Sequence, residues 1–198
     1  MKQCSKAKFL LALAVVVALA ATLSYTARAD NDDVVVFKAR LTGFQEVAPR
    51  LTPGHGTFIG KLDLNHQTIT FTETWTDLIG NTVASGHVLF SHIHFGQTGV
   101  AGGITVFLCG PTGATNPHQP VCQDASTGSA KGSINASDVF PATAPGDGDQ
   151  GIKAGDFAGL LRIIRAGGAY ANIHTTQFPG GEIRGQIHVS RDDDEDDD

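Results

Sequence analysis

The chain has 198 residues, with 14 basic and 20 acidic side chains, a formal net charge of −6 and 41% hydrophobic residues. No cluster of basic residues offsets that acidity, which excludes nucleic acid as an expected partner. The length suits one domain around one core, and no internal repeat is visible.

Residues 1–29 read as an export signal. Lys2, Lys6 and Lys8 make a positive leader, Phe9 to Leu23 is an apolar run, and Ala27-Arg28-Ala29 offers small residues around a cleavage point after Ala29. The run is short for a bilayer span and nothing later approaches that length, so no membrane span is expected after cleavage. Cys4 lies in the leader with no acylation context. The expected location is secreted or periplasmic. Cleavage would remove four basic residues and no acidic ones. Ten of the 20 acids then sit at the two ends, in Asp30, Asp32, Asp33 and residues 192–198, and the body between them is formally neutral. Residues 30–36 are an acidic lead-in and the start of the first strand, 37–190 the domain, and 191–198 an acidic tail expected to be disordered.

Strand signals dominate the domain. Val34-Val35-Val36-Phe37 runs into Ala39 and Leu41 and stops at Gly43. Phe58, Leu62 and Leu64 precede an Asn65-His66 turn, after which Ile69 and Phe71 alternate with threonines, the pattern of a hairpin. Trp75 and Phe71 fit a core strand. Val83 to Phe95 and Ile104 to Cys109 supply two more strands, and glycines and prolines separate them all. Cys109 and Cys122 are the only cysteines outside the leader, and in an exported chain they read as a disulfide closing a proline-rich loop. Their spacing fits no thiolate metal pattern.

Asp147-Gly148-Asp149-Gln150-Gly151 has carboxylates two apart but lacks the third acid and distal Glu of a calcium loop. Phe157, Leu160, Leu161 and Ile164 then break the strand pattern with helical spacing. Asp156 can cap that helix and Gly167-Gly168 can stop it. The Tyr170 strand follows. After a Pro179-Gly180-Gly181 turn, Ile183, Gly185, Ile187 and Val189 alternate with Glu182, Arg184, Gln186 and His188, so the last strand has one buried and one polar face. The expected fold is mainly β, an antiparallel β-sandwich or barrel with one short helix.

Two strands carry the chemistry. Side chains two apart on a strand share a face, so His92 and His94 point together while Ile93 points opposite. Tyr170, Asn172 and His174 likewise share a face, with Ala171 and Ile173 on the other. The plain reading is a set of hydrogen-bonded imidazoles on a half-exposed sheet face. The sharper reading is a mononuclear copper or zinc centre, with His92 and His94 from one strand and His174 from its neighbour. Glu182 and Arg184 join Tyr170 and Asn172 on the polar sheet face, as an ion pair closing the sheet or, in a catalytic setting, with Arg184 steering an anion. A second, zinc-type site would need ligands such as His87, His118 or Asp124. His55, His66 and His188 look like turn or strand-end residues.

Phe37-x-Ala39-x-Leu41-Thr42-Gly43-x-Gln45-Glu46-Val47, His92-Ile93-His94-Phe95-Gly96, Tyr170-Ala171-Asn172-Ile173-His174-Thr175 and Pro179-Gly180-Gly181-Glu182-Ile183-Arg184-Gly185-Gln186 together closely resemble the motif set of the CHRD (chordin-type) domain. The motifs fall in family order between about Phe37 and Ile187. Ala48 interrupts the usual Val-Pro step, and the loop from Pro111 to Gln123 looks like an elaboration. The resemblance implies an exported β-rich unit, immunoglobulin-like or barrel-like, with no general enzymatic activity. Such a unit acts as a binding or structural module for an extracytoplasmic protein or ligand. His92-Ile93-His94-Phe95-Gly96 is also similar to the copper-ligand strand of Cu/Zn superoxide dismutases, which implies dismutase-like chemistry as the alternative.

Overall fold

The computed structural model describes residues 35–79, 88–111, 119–146 and 148–190. The signal segment, the acidic tail, the first residues of the expected Val83 strand, His87, His118 and Asp147 lie outside them. Strand β1 (Val35–Thr42) buries Phe37, Ala39 and Leu41 and turns Lys38 and Arg40 outward. β2 (His55–Asp63) and β3 (Thr68–Thr76) form the expected hairpin, with Phe58 and Leu62 facing Ile69, Phe71 and Trp75 in the core. Asp63 shapes its turn by accepting from the His66 amide at 3.0 Å and from the His66 ring at 2.6 Å.

β4 (Val88–Phe95) and β5 (Gly103–Cys109) follow, then β6 (Gly128–Ile134), a two-strand ribbon of β7 (Thr143–Ala144) and β8 (Gly148–Asp149), and helix α1 (Phe157–Arg165). β9 (Ala169–Thr175), β10 (Ile183–Gln186) and β11 (His188–Ser190) end the fold. The main sheet runs β5-β4-β9-β10-β1-β2-β3-β6, with β11 also on β1, and every ladder in it is antiparallel. The sheet curls into a nearly closed barrel around one apolar core that includes Phe37, Trp75, Ile93, Leu108 and Ile173. β6 went unannounced because Gly128-Ser129-Ala130-Lys131-Gly132 carries almost no hydrophobic alternation. Its pairing with β3 recruits it.

The helix is where periodicity put it. Asp156 accepts from the Gly159 amide at 2.7 Å, and Phe157, Leu160, Leu161 and Ile164 join the core. Each of those side chains contributes roughly 1.5–3 kcal/mol by leaving water. Of the Asp147–Gly151 stretch, Gly148 and Asp149 pair with Ala144 and Thr143, and Asp149 accepts from the Gly151 amide.

The last strand departs from expectation in two ways. It breaks at Ile187, so β1 pairs with β10 through Thr42↔Arg184 and with β11 through Phe37↔Val189. Its polar face is also not solvated, since Arg184 is 2% and Gln186 7% exposed. Gln186 is buried because its amide reaches the carbonyls of Gly96, Gly167 and Ala169, which loops and strand ends present to it.

Cys109 and Cys122 are bonded, with Cα atoms 4.9 Å apart. The link pins the loop after β5, beside the Gly110↔Val121 bridge. Chain-entropy arguments give it about 3 kcal/mol. We therefore expect Cys109→Ser/Cys122→Ser to unfold at lower denaturant with a slope no shallower than the parent's, a loss of about 3 kcal/mol read by equilibrium urea titration.

One inward position of β3 is acidic. Glu73 occupies the inward phase of β3 between Phe71 and Trp75 and is fully buried. Neither carboxylate oxygen finds a hydrogen-bond partner among the described residues. Burial pushes its pKa up to about 8, tempered by the nearby Ser91 hydroxyl. The folded protein thus holds a proton that the unfolded chain releases above 4.5, and this contribution to stability fades as pH rises from there through about 8. Glu73→Gln should match the parent near pH 5 and exceed it at pH 9 by a few kcal/mol, on the order of the linkage term, in urea titrations at the two pH values. An equal difference at both would show Glu73 ionised throughout.

Candidate metal centre

The face of the sheet opposite the apolar core is built by three neighbouring strands. β4 and β9 pair so that His92 stands across from Asn172 and His94 from Tyr170. β10 continues these rows, with Arg184 beside Asn172 and Gln186 beside Tyr170. His174 lies one row further, across from Phe90 and diagonal to His92. The pairing of β4 with β5 slips between Ser91 and His92 and again between Ile93 and His94. Such bulges re-aim side chains, and here they fall at both histidines.

The three imidazoles meet. Ring centroids are 5.4 Å apart for His92–His94, 5.0 Å for His92–His174 and 5.9 Å for His94–His174. One nitrogen from each ring lies within 4.8 Å of the others, and these three residues are the one such group among the described residues. An ion held at about 2.0–2.1 Å by imidazole nitrogens needs donors no more than about 4 Å apart. Binding an ion there would require side-chain rotations that close that difference.

Hydrogen bonds set the tautomers of two rings. His94 Nδ1 lies 3.0 Å from the Gly102 carbonyl and His174 Nδ1 lies 3.0 Å from the Pro179 carbonyl. A carbonyl only accepts, so each Nδ1 carries the proton and each Nε2 keeps a lone pair. This outer-shell arrangement orients imidazole ligands in metal sites. His94 Nε2, His174 Nε2 and both nitrogens of His92 are buried with no hydrogen-bond partner among the described residues. A buried polar atom left in that state costs about 1–3 kcal/mol.

The site is neither half-exposed nor a plain hydrogen-bonded face, which corrects that expectation. His92, His94 and His174 are 4%, 7% and 9% exposed. Three connections cover them. The β1–β2 connection brings Glu46 to Asn172 at 2.6 Å and Thr52 to Glu182 at 2.7 Å. The β4–β5 connection supplies the Gly102 carbonyl to His94 and the Gln97 carbonyl to Arg184. The β9–β10 turn supplies Pro179. In that turn Gly181 has φ 115°, and any Cβ there would strike Glu46 Oε1 and Asn172 Nδ2, so only glycine admits the contact.

Phe90 stacks on His92, Phe107 meets it edge-on, and Tyr170 stacks on His94 at 4.7 Å. In these surroundings burial is the main force on each titration. It lowers His92 to about 2, helped by His174 and His94, and His94 to about 4. His174 is lowered by the same cause. Glu46 is raised by burial to about 7, against the pull of Asn172 and Arg184.

The other sheet-face residues divide. Arg184 lies 3.4 Å over the Tyr170 ring and donates to the Gln97 carbonyl at 2.8 Å. Glu182 is engaged by the Thr52 and Thr175 hydroxyls and the Ile79 amide, so it ties three segments together. Asn172 bridges Glu46 and the Ile183 carbonyl. Glu46 entered the sequence argument only as part of a motif. Its place over Asn172 depends on a loop fold that no periodicity encodes. Asp124 lies outside the cluster.

All four motifs from the sequence thus converge on one covered face. A family model for the CHRD domain matches residues 37–187, and the chain belongs to the CHRD family. No curated protein and no solved structure matches the chain. CHRD membership and the disulfide fit an extracellular protein, and no helix of the described residues is long and apolar enough to cross a membrane.

The depressed imidazoles make the metal-free protein acid-sensitive. Below pH 6.5 the unfolded chain takes up protons at these positions, while the folded His92 does so only near 2. Stability falls as pH drops through that window. His92→Phe places a ring of similar shape between Phe90 and Phe107. It should resemble the parent at pH 7 and be more stable at pH 4.5 by on the order of 2 kcal/mol, measured by denaturant titration of apo protein. A parent with equal stability at both pH values relative to the variant would contradict a neutral buried His92.

Proposed function

We propose that this chain is an exported CHRD module that binds a transition-metal ion, copper or zinc, through His92, His94 and His174. Export follows from the leader, with cleavage after Ala29. The observation that carries the reading is the convergence of three buried, neutral imidazoles, each offering one nitrogen within 4.8 Å of the others and each with a buried nitrogen that has no hydrogen-bond partner among the described residues. Neutral imidazole is the protonation state a metal requires, and burial keeps it available well below neutral pH. A bound ion would also satisfy donors that are otherwise stranded. Reaction chemistry is not needed for this role: the module holds its ion on a rigid sheet, with the outer-shell carbonyls of Gly102 and Pro179 fixing two ligands.

Dismutase-like chemistry is the second reading, favoured by the proximity of the Arg184 cation to the cluster through Tyr170. It requires copper and an accessible coordination position, and superoxide turnover by the copper-loaded protein tests it.

The deciding experiment is metal content by mass spectrometry on the exported full-length protein, washed with a weak chelator, beside His94→Ala and His174→Ala. The expected result is about one copper or zinc per chain in the parent and less than about a tenth of that in each variant. Metal that survives in both folded variants would belong to the acidic tail and would overturn the assignment, as would a parent unable to take up either ion.

A further inference from the structure

The composition of the cluster bears on which ion it takes. The donor set contains three imidazoles and no carboxylate or thiolate. The two cysteines of the domain are consumed in their disulfide. Of the acids on this face, Glu46 is bonded to Asn172, and Glu182 is engaged by Thr52, Thr175 and Ile79. A positive charge stands close by: the Arg184 guanidinium lies over Tyr170, whose ring stacks on His94. The remaining walls are the aromatic rings of Phe90, Phe107 and Tyr170.

We propose that this centre selects monovalent copper, Cu(I), over divalent zinc and divalent copper. The proposal rests on His92, His94 and His174 being a metal centre and concerns only the charge of its ion. The desolvation cost of an ion grows with the square of its charge, so a monocation faces about a quarter of the cost of a dication in the same cavity. Repulsion from Arg184 is likewise halved. A dication in a neutral ligand set needs a compensating anion, which zinc obtains in three-histidine sites by ionising a bound water. Here Arg184 would favour such an anion, but Phe90, Phe107 and Tyr170 leave it few polar partners on the ligand side. Divalent copper also prefers a tetragonal donor set. Cu(I) has a filled d shell and no such preference, and accepts low coordination numbers.

The test is competition binding on the exported full-length protein at pH 7. Cu(I) is measured anaerobically against a chromogenic Cu(I) chelator, and Zn(II) against a fluorescent zinc chelator, with proton release recorded by pH-stat. X-ray absorption on the Cu(I) form supplies the coordination without any variant. We expect one Cu(I) per chain, bound on the order of a hundredfold more tightly than Zn(II), with a nitrogen-only, low-coordinate spectrum. Folded Arg184→Gln should narrow the preference by about tenfold, because it removes the charge that disfavours the dication. Zn(II) bound as tightly as Cu(I), with a proton released, overturns the selectivity and leaves the metal centre intact. An unchanged preference in folded Arg184→Gln overturns its electrostatic basis. Failure to bind either ion overturns the metal centre itself.

Discussion

Antiparallel pairing between β4 and β9 sets His92 across from Asn172 and His94 across from Tyr170, and most of the molecule is arranged around keeping that register. The inward side of the two strands, with Ile93, Ala171 and Ile173 fully buried, locks it. A slip of one residue would turn those apolar side chains out and drive imidazoles and amides into the core. The same pairing that builds the barrel therefore gathers three imidazoles on its other side, one nitrogen of each within 4.8 Å of the others. The bulges in β5 adjust their aim without disturbing the apolar layer.

Covering a polar face is costly, and the chain meets that cost with specific partners rather than with apolar packing. Asn172, Glu182, Arg184 and Gln186 each find acceptors or donors in the connections that close over the face. Tyr170 accepts from the Gly102 amide and takes Arg184 over its ring. His94 Nε2, His174 Nε2 and both nitrogens of His92 are the exception on this face. Satisfied neighbours around a stranded trio concentrate the unmet bonding capacity at one point, which is the arrangement an ion would complete.

Glu73 is a different kind of exception. It sits on the far side of the sheet from the imidazoles, in the apolar layer, and burial holds its proton to about pH 8. Its parity with Ile69, Phe71 and Trp75 was visible in the sequence and pointed inward, yet alternation alone gave no reason to place a carboxyl in a core. The polar residues at the histidine face show the converse. Arg184 and Gln186 had the parity of exposed residues, because alternation reports only which side of the strand a residue takes, and nothing about what covers that side.

Local sequence determined the strands with strong alternation, the β2–β3 hairpin, the capped helix at Phe157–Arg165, the disulfide pairing and the shared faces of His92 with His94 and of Tyr170, Asn172 and His174. Each depends on period-two or helical spacing, or on a count of two cysteines, and needs no distant contact. The family motifs also carried the membership that the CHRD match confirms. Tertiary structure alone decided that β6 is a strand, that the last strand breaks at Ile187, that Glu46 reaches Asn172, and that the histidine face is roofed. Those outcomes turn on loop paths and on partners more than a hundred residues apart, as in the Asn172–Glu46 and Glu182–Thr52 bonds, and no local periodicity encodes them.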